Sequence, residues 1–71
     1  MKYKDLIRKI REACAAVEID FELKRQRGSH TMWTCGTKPV TIPGAGGEVN
    51  ELTALGICKD LESELGEKWW R

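Results

Sequence analysis

Residues 17–42 read VEIDFELKRQRGSHTMWTCGTKPVTI, and the period of this stretch is two. Val17, Ile19, Phe21 and Leu23 alternate with Glu18, Asp20, Glu22 and Lys24. Successive side chains of a strand point to opposite faces, so the run predicts a strand with one buried and one wet face. Gly28-Ser29 predicts a tight turn. His30 to Cys35 is rich in β-formers and predicts a second strand. Gly36-Thr37 marks the next turn, and Lys38 to Ile42 predicts a short third strand. Pro39 lacks an N–H and belongs at a strand start or an edge. Connections this short join antiparallel neighbours, so the expected sheet is a three-stranded antiparallel meander.

Outward from the sheet, the period changes to that of a helix on both sides. Upstream, Tyr3, Leu6, Ile7, Ile10, Ala13 and Cys14 form an apolar stripe within residues 2–16, with Lys4, Arg8, Arg11 and Glu12 off it. Downstream, Pro43-Gly44-Ala45-Gly46-Gly47 predicts a flexible loop. A second helix is expected over about 51–65, with Asn50 as N-cap, Glu51 in the first turn and Gly66 as the stop. Its stripe is Ala54, Cys58, Leu61 and Leu65, with Ile57 beside it. The expected fold is therefore α+β in the order α-β-β-β-α. Two helices bury their stripes on one face of a three-stranded antiparallel sheet, and the other face stays open.

A chain of 71 residues is one domain near the lower size limit for folding without staples, so any site on it must be shallow. The domain is expected over residues 1–66. Residues 67–71, Glu67-Lys68-Trp69-Trp70-Arg71, form a C-terminal extension in which one Trp caps the core and the other stays exposed. The three cysteines, Cys14, Cys35 and Cys58, are odd in number and form no CxxC unit. They read as reduced, small apolar residues, which suits a cytoplasmic location. No apolar run approaches the ~18 residues of a membrane span, so no membrane association is expected. Residues 1–43 hold nine Lys/Arg and five Asp/Glu, a balance of +4, whereas residues 44–71 hold three and six, a balance of −3. That asymmetry suits a protein that meets phosphate on one side, and ordinary solvated surface gives the same numbers.

His30 is the only histidine. An imidazole, with an unperturbed pKa of about 6.5, exchanges a proton at neutral pH. Around it in sequence stand Lys24, Arg25 and Arg27, with Lys38 across the hairpin, and arginine forks grip phosphate oxygens. Gly28 permits the turn and a close ligand approach, and Ser29 can donate a hydrogen bond to phosphate. A proton-transfer group in a basic hairpin suits RNA cleavage, because the ribose 2′-OH is a built-in nucleophile. A solvent-exposed turn histidine without a role is the plainer alternative. One His and three scattered Cys give no zinc spacing, and no carboxylates cluster in sequence near His30, so no metal or other cofactor is expected.

Arg25-Gln26-Arg27-Gly28-Ser29-His30 resembles the RQ-K/R-GSH signature of the HicA toxins. Val40-Thr41-Ile42-Pro43 resembles that family's strand ending in Pro. Glu48-Val49-Asn50-Glu51, Thr53-Ala54 and Gly56-Ile57 resemble the start of its last helix. The resemblance runs from about residue 3 to 65. It implies a fold similar to double-stranded RNA-binding domains and an mRNA-cleaving toxin of a toxin–antitoxin pair. It further implies His30 as the catalytic residue, with Gly28 and Ser29 in the same motif, and a HicB-type antitoxin that covers the site. Many members carry a second His two residues after the Pro, where this chain has Ala45. Lys24, Arg25, Arg27, Gly28, Ser29 and Lys38 are the expected RNA contacts, and the free chain is expected to be monomeric. A non-catalytic module that binds double-stranded RNA is the competing expectation. Such a module wants a basic start to the second helix, and here that start is Asn50-Glu51.

Overall fold

A computed structural model describes all residues, Met1–Arg71. Helix α1, Tyr3–Ala16, turns Leu6, Ile7, Ile10 and Cys14 inward, as the stripe requires. Strands β1 (Phe21–Arg27), β2 (His30–Cys35) and β3 (Lys38–Ile42) form an antiparallel sheet in the order β1-β2-β3. Helices α2 (Glu51–Asp60) and α3 (Glu62–Leu65) complete the chain. The buried sheet residues are Thr31, Trp33 and Cys35 of β2 and Val40 and Ile42 of β3, alternate positions on one face. Helices α1 and α2 lie against that face. Cys14 of α1 meets Cys35, and Asp60 of α2 pairs with Lys38. The expected α+β order and the one-sided placement of the helices are therefore observed.

The first strand begins later than the alternation predicts. Val17 closes α1, and the chain then reverses through Glu18 at φ 58°. The Ile19 N–H donates to the Cys14 carbonyl at 2.8 Å and the Glu18 N–H to the Ala15 carbonyl at 3.1 Å. These are the two bonds of a Schellman end, and they use residues the alternation assigned to a strand. Val17 is consequently 47% exposed instead of buried. Ile19 and Phe21 still pack against the core.

The second helical stretch breaks at Leu61, between α2 and α3, with Leu61 and Leu65 both buried. Asn50 caps α2 through its side-chain oxygen, which accepts from the Leu52 N–H at 2.8 Å and the Thr53 N–H at 3.4 Å. The tail departs from expectation. Residues 67–70 form turns with Lys68 at φ 53°, so helical geometry does not separate the two indoles. Both are half-buried against the core, edge to face at 6.1 Å, and Trp69 Nε1 donates to the Cys58 carbonyl at 2.7 Å.

The Gly-rich loop is pinned along its length. Ala45 N–H donates to Ser29 O at 3.0 Å, Gly47 N–H to Gly44 O at 2.9 Å, and Tyr3 N–H to Gly47 O at 2.9 Å. Lys2 and Glu48 form an isolated antiparallel bridge, and Val49 is buried. Gly44, at φ 87°, lies so close to the Glu48 carbonyl that a Cβ would stand 2.3 Å from it. The glycine there serves close approach, which composition alone reads as freedom.

Candidate functional site

The β1–β2 connection is the two-residue turn Gly28-Ser29, flanked by the cross-strand pair Arg27 and His30. Gly28 has φ 56° and Ser29 has a negative φ, the pattern of a type II′ turn with glycine first. The Gln26 amide reinforces the turn by donating to the Gly28 carbonyl at 3.0 Å. Cross-strand pairing holds the Cβ atoms of Arg27 and His30 roughly 5 Å apart.

A β-bulge decides which way the arginines point. Leu23 pairs with Trp33 and Arg25 pairs with Met32, so Lys24 is the extra residue. Strict alternation from Phe21 and Leu23 would carry Arg25 and Arg27 to the helix side. With Lys24 looped out, Arg25 stands opposite Met32, and Arg27 opposite His30, on the open face. Arg25, Arg27, His30, Thr31, Met32 and Thr41 line a shallow depression of about 200 Å³ there.

The expected cations separate by their partners. Lys24 Nζ is bound to Glu22 Oε1 at 2.6 Å, and this contact holds the Glu22 carboxyl below its ordinary pKa. Lys38 Nζ lies 3.4 Å from Asp60 Oδ1, on the helix side. Lys38 also pairs with Cys35, at the opposite end of β2 from His30, which places it roughly 17 Å along the strand. Arg25 and Arg27 enter no ion pair. The fold thus brings together His30, Arg25, Arg27 and the Gly28-Ser29 turn. It does not bring Lys38 to them, and it occupies Lys24 elsewhere.

Beneath His30 lies a saturated polar knot. Thr31 is 2% exposed, and its hydroxyl donates to the Ile42 carbonyl at 2.7 Å. Its proton being so used, the Tyr3 hydroxyl at 2.7 Å must donate to it. Trp33 Nε1 donates to the same oxygen at 2.9 Å. One threonine therefore ties α1, β2 and β3 together next to His30, and no buried side-chain polar atom is left without a partner. Phe21 stacks on Trp33 at 4.4 Å, with the Arg11 guanidinium 5.6 Å from the Trp33 ring centroid.

Met32 and Thr41 are lining residues that the sequence reading did not single out. The signal was present, since each alternates with buried neighbours and so had to face the open side. Ala45 is held beside the turn by its bond to Ser29 and supplies no proton-transfer group. The cysteines stand apart, buried in the core with Cys14 and Cys35 sulfurs 3.4 Å apart. Burial pushes the Cys14 thiol up to about 12 and raises Cys35 and Cys58 as well. No three His, Cys, Asp or Glu side chains gather in a metal-binding group. No helix is long and apolar enough to cross a membrane. In comparisons with family models, curated proteins and solved structures, the chain matches none.

Proposed function

We propose that this chain is an endoribonuclease that cuts single-stranded mRNA with one catalytic histidine, His30, and serves as the toxin of a type II toxin–antitoxin pair in the cytoplasm. The observation that carries the reading is the open-face cluster. The one imidazole shares a shallow depression with the two hairpin arginines that have no acidic partner. The resemblance of residues 25–30 to the HicA signature supplies the biological setting.

In the proposed reaction the ribose 2′-oxygen attacks the adjacent phosphorus as His30 removes its proton. The bond from phosphorus to the 5′-oxygen breaks, and water protonates that leaving oxygen. The products are a 2′,3′-cyclic phosphate and a 5′-hydroxyl. Arg25 and Arg27 hold phosphate oxygens and offset charge that develops on them. One imidazole cannot act as base and acid in the same instant, so the rate is modest. The site is open, and an antitoxin of the HicB type that covers the His30 face would silence it.

The test uses purified protein and a single-stranded RNA in excess EDTA. His30→Ala, shown folded by circular dichroism, should lose about 10²–10⁴-fold in cleavage rate, the usual contribution of one acid–base group. A substrate with 2′-deoxy sugars should resist the wild-type protein. Full activity in the folded variant, or efficient cutting of the deoxy substrate, would falsify the mechanism.

A further inference from the structure

We infer that the open face beside His30 carries a nucleobase subsite, with Met32 as its floor and Thr41 as its polar edge. The inference rests on the ribonuclease reading and deepens it, by naming what holds the nucleotide next to the bond that is cut.

The strand register builds the subsite. Arg25, Met32 and Thr41 form one row across the three strands, and Arg27 and His30 form the next row on the same face. The rows are two residues apart along β2, roughly 7 Å. A nucleotide whose phosphate rests on the arginine and histidine row therefore meets the Met32 row with its base.

The chemistry of that row fits a base better than a second phosphate. Met32 is the one hydrophobic residue lining the depression, and it is 42% exposed. The other exposed large apolar residues, Val17, Leu23, Leu52 and Leu55, do not line it. A thioether is polarisable and packs favourably against π faces. The Arg25 guanidinium at one end of the row is flat, so it can stack on the base while an N–H of its fork holds a phosphate oxygen. On the other side, the Thr41 hydroxyl both donates and accepts, so it can pair with either kind of group on a base edge. At about 200 Å³ the depression would hold several waters of roughly 30 Å³ each, which leaves room for a flat ring. A base reaches Met32 only when it is unpaired and unstacked, which gives the site a reason to take single strands.

The chain has two methionines, Met1 and Met32, so methyl labelling reports on the subsite directly. Wild-type protein with ¹³C-methyl methionine is titrated with the four nucleoside 3′-monophosphates and, separately, with inorganic phosphate. The ring current of a stacked base should move the Met32 methyl signal upfield and leave Met1 in place. Inorganic phosphate should move the arginine Nε signals and spare Met32. Thr41→Val should change the ratio of nucleotide Kd values by about 3- to 10-fold, the range one net hydrogen bond covers. A Met32 methyl that stays still at saturation, or that moves equally with phosphate alone, overturns the subsite. So do unchanged Kd ratios in Thr41→Val. Cleavage of RNA by a protein whose Met32 is silent leaves the ribonuclease reading standing and removes this one. A Met32 response in a protein that cuts no RNA does the reverse.

Discussion

Arg25 and Arg27 differ from Lys24 and Lys38 less in charge than in company. A cation already bound to a carboxylate must give up that partner to take a phosphate, whereas an unpaired guanidinium gives up only water. Arg25→Ala with Arg27→Ala should therefore weaken single-stranded RNA binding and flatten its salt dependence. Each lost phosphate contact should remove about 0.7 from the slope of log K against log salt. Lys38→Ala should leave both affinity and slope unchanged, since Lys38 faces Asp60 near the far end of β2. Fluorescence titration of a labelled oligonucleotide at several salt concentrations separates the two cases. A slope that follows Lys38 instead would relocate the RNA.

At the scale of elements, the end of α1 shows what a residue type costs in the wrong backbone region. Glu18 sits at φ 58°, where the Schellman end favours glycine. A side chain there costs roughly 1 kcal/mol, partly offset by the entropy that glycine loses on folding. Glu18→Gly should stabilise the fold by up to about 1 kcal/mol, a rise in melting temperature of up to about 4–8 °C for a domain of this size. A thermal melt checks it, and a lower melting temperature would show that the Glu18 side chain makes a contact worth more than the strain. The same helix end explains where the sequence was legible. Periodicity located α1, the three strands, both turns and the Asn50 cap, because each depends on local chemistry. It overran at Val17, because apolar alternation cannot tell a strand from a helix end followed by an inward turn. It missed the break at Leu61, since Leu61 and Leu65 stay on the buried stripe either way. It misread the Gly44–Gly47 loop, whose bonds to Ser29 and Tyr3 are long-range. At the site, His30, Arg25 and Arg27 were legible as neighbours on one hairpin, but the face the arginines take was not, because the bulge at Lys24 leaves no mark in the alternation. The removal of Lys38 was not, because its partner Asp60 lies in a helix that only the tertiary fold brings near.

For the whole molecule, charge and sulfur are both sorted by place. His30 and the two unpaired arginines occupy one end of the sheet. Asp60 and Glu64 stand by the β2–β3 turn at the other, near Lys38 and Gly36. A polyanion that met the sheet would be favoured at the end that holds the imidazole. All three thiols are buried in the core. Because burial raises each thiol above its ordinary value, near 9 in the unfolded chain, the native state keeps protons there that the unfolded state sheds. Their contribution to stability is therefore whole below pH 9 and declines as pH rises from about 9 towards the Cys14 value of about 12. Denaturant midpoints between pH 8 and 10.5 should fall, and fall less steeply in Cys14→Ala, which removes the most shifted group. An equal slope in both proteins would show that the Cys14 thiol does not carry the alkaline loss.

The looped-out Lys24 has a consequence for how such a chain tolerates change in its gene. Every pairing of β1 with β2 already skips this residue, so an in-frame loss of its codon leaves Phe21 opposite Cys35 and Arg27 opposite His30. Loss of the Arg25 codon instead moves Lys24 into the place across from Met32, trading a fork for a single ammonium. Two neighbouring one-codon deletions thus yield the same regular strand with different cations at the site. The first should keep RNA binding and the second should weaken it, a contrast that titration of a labelled oligonucleotide with the paired deletions reads out directly. The bulge is a spare position, where the length of the hairpin can drift while the aim of its arginines is preserved.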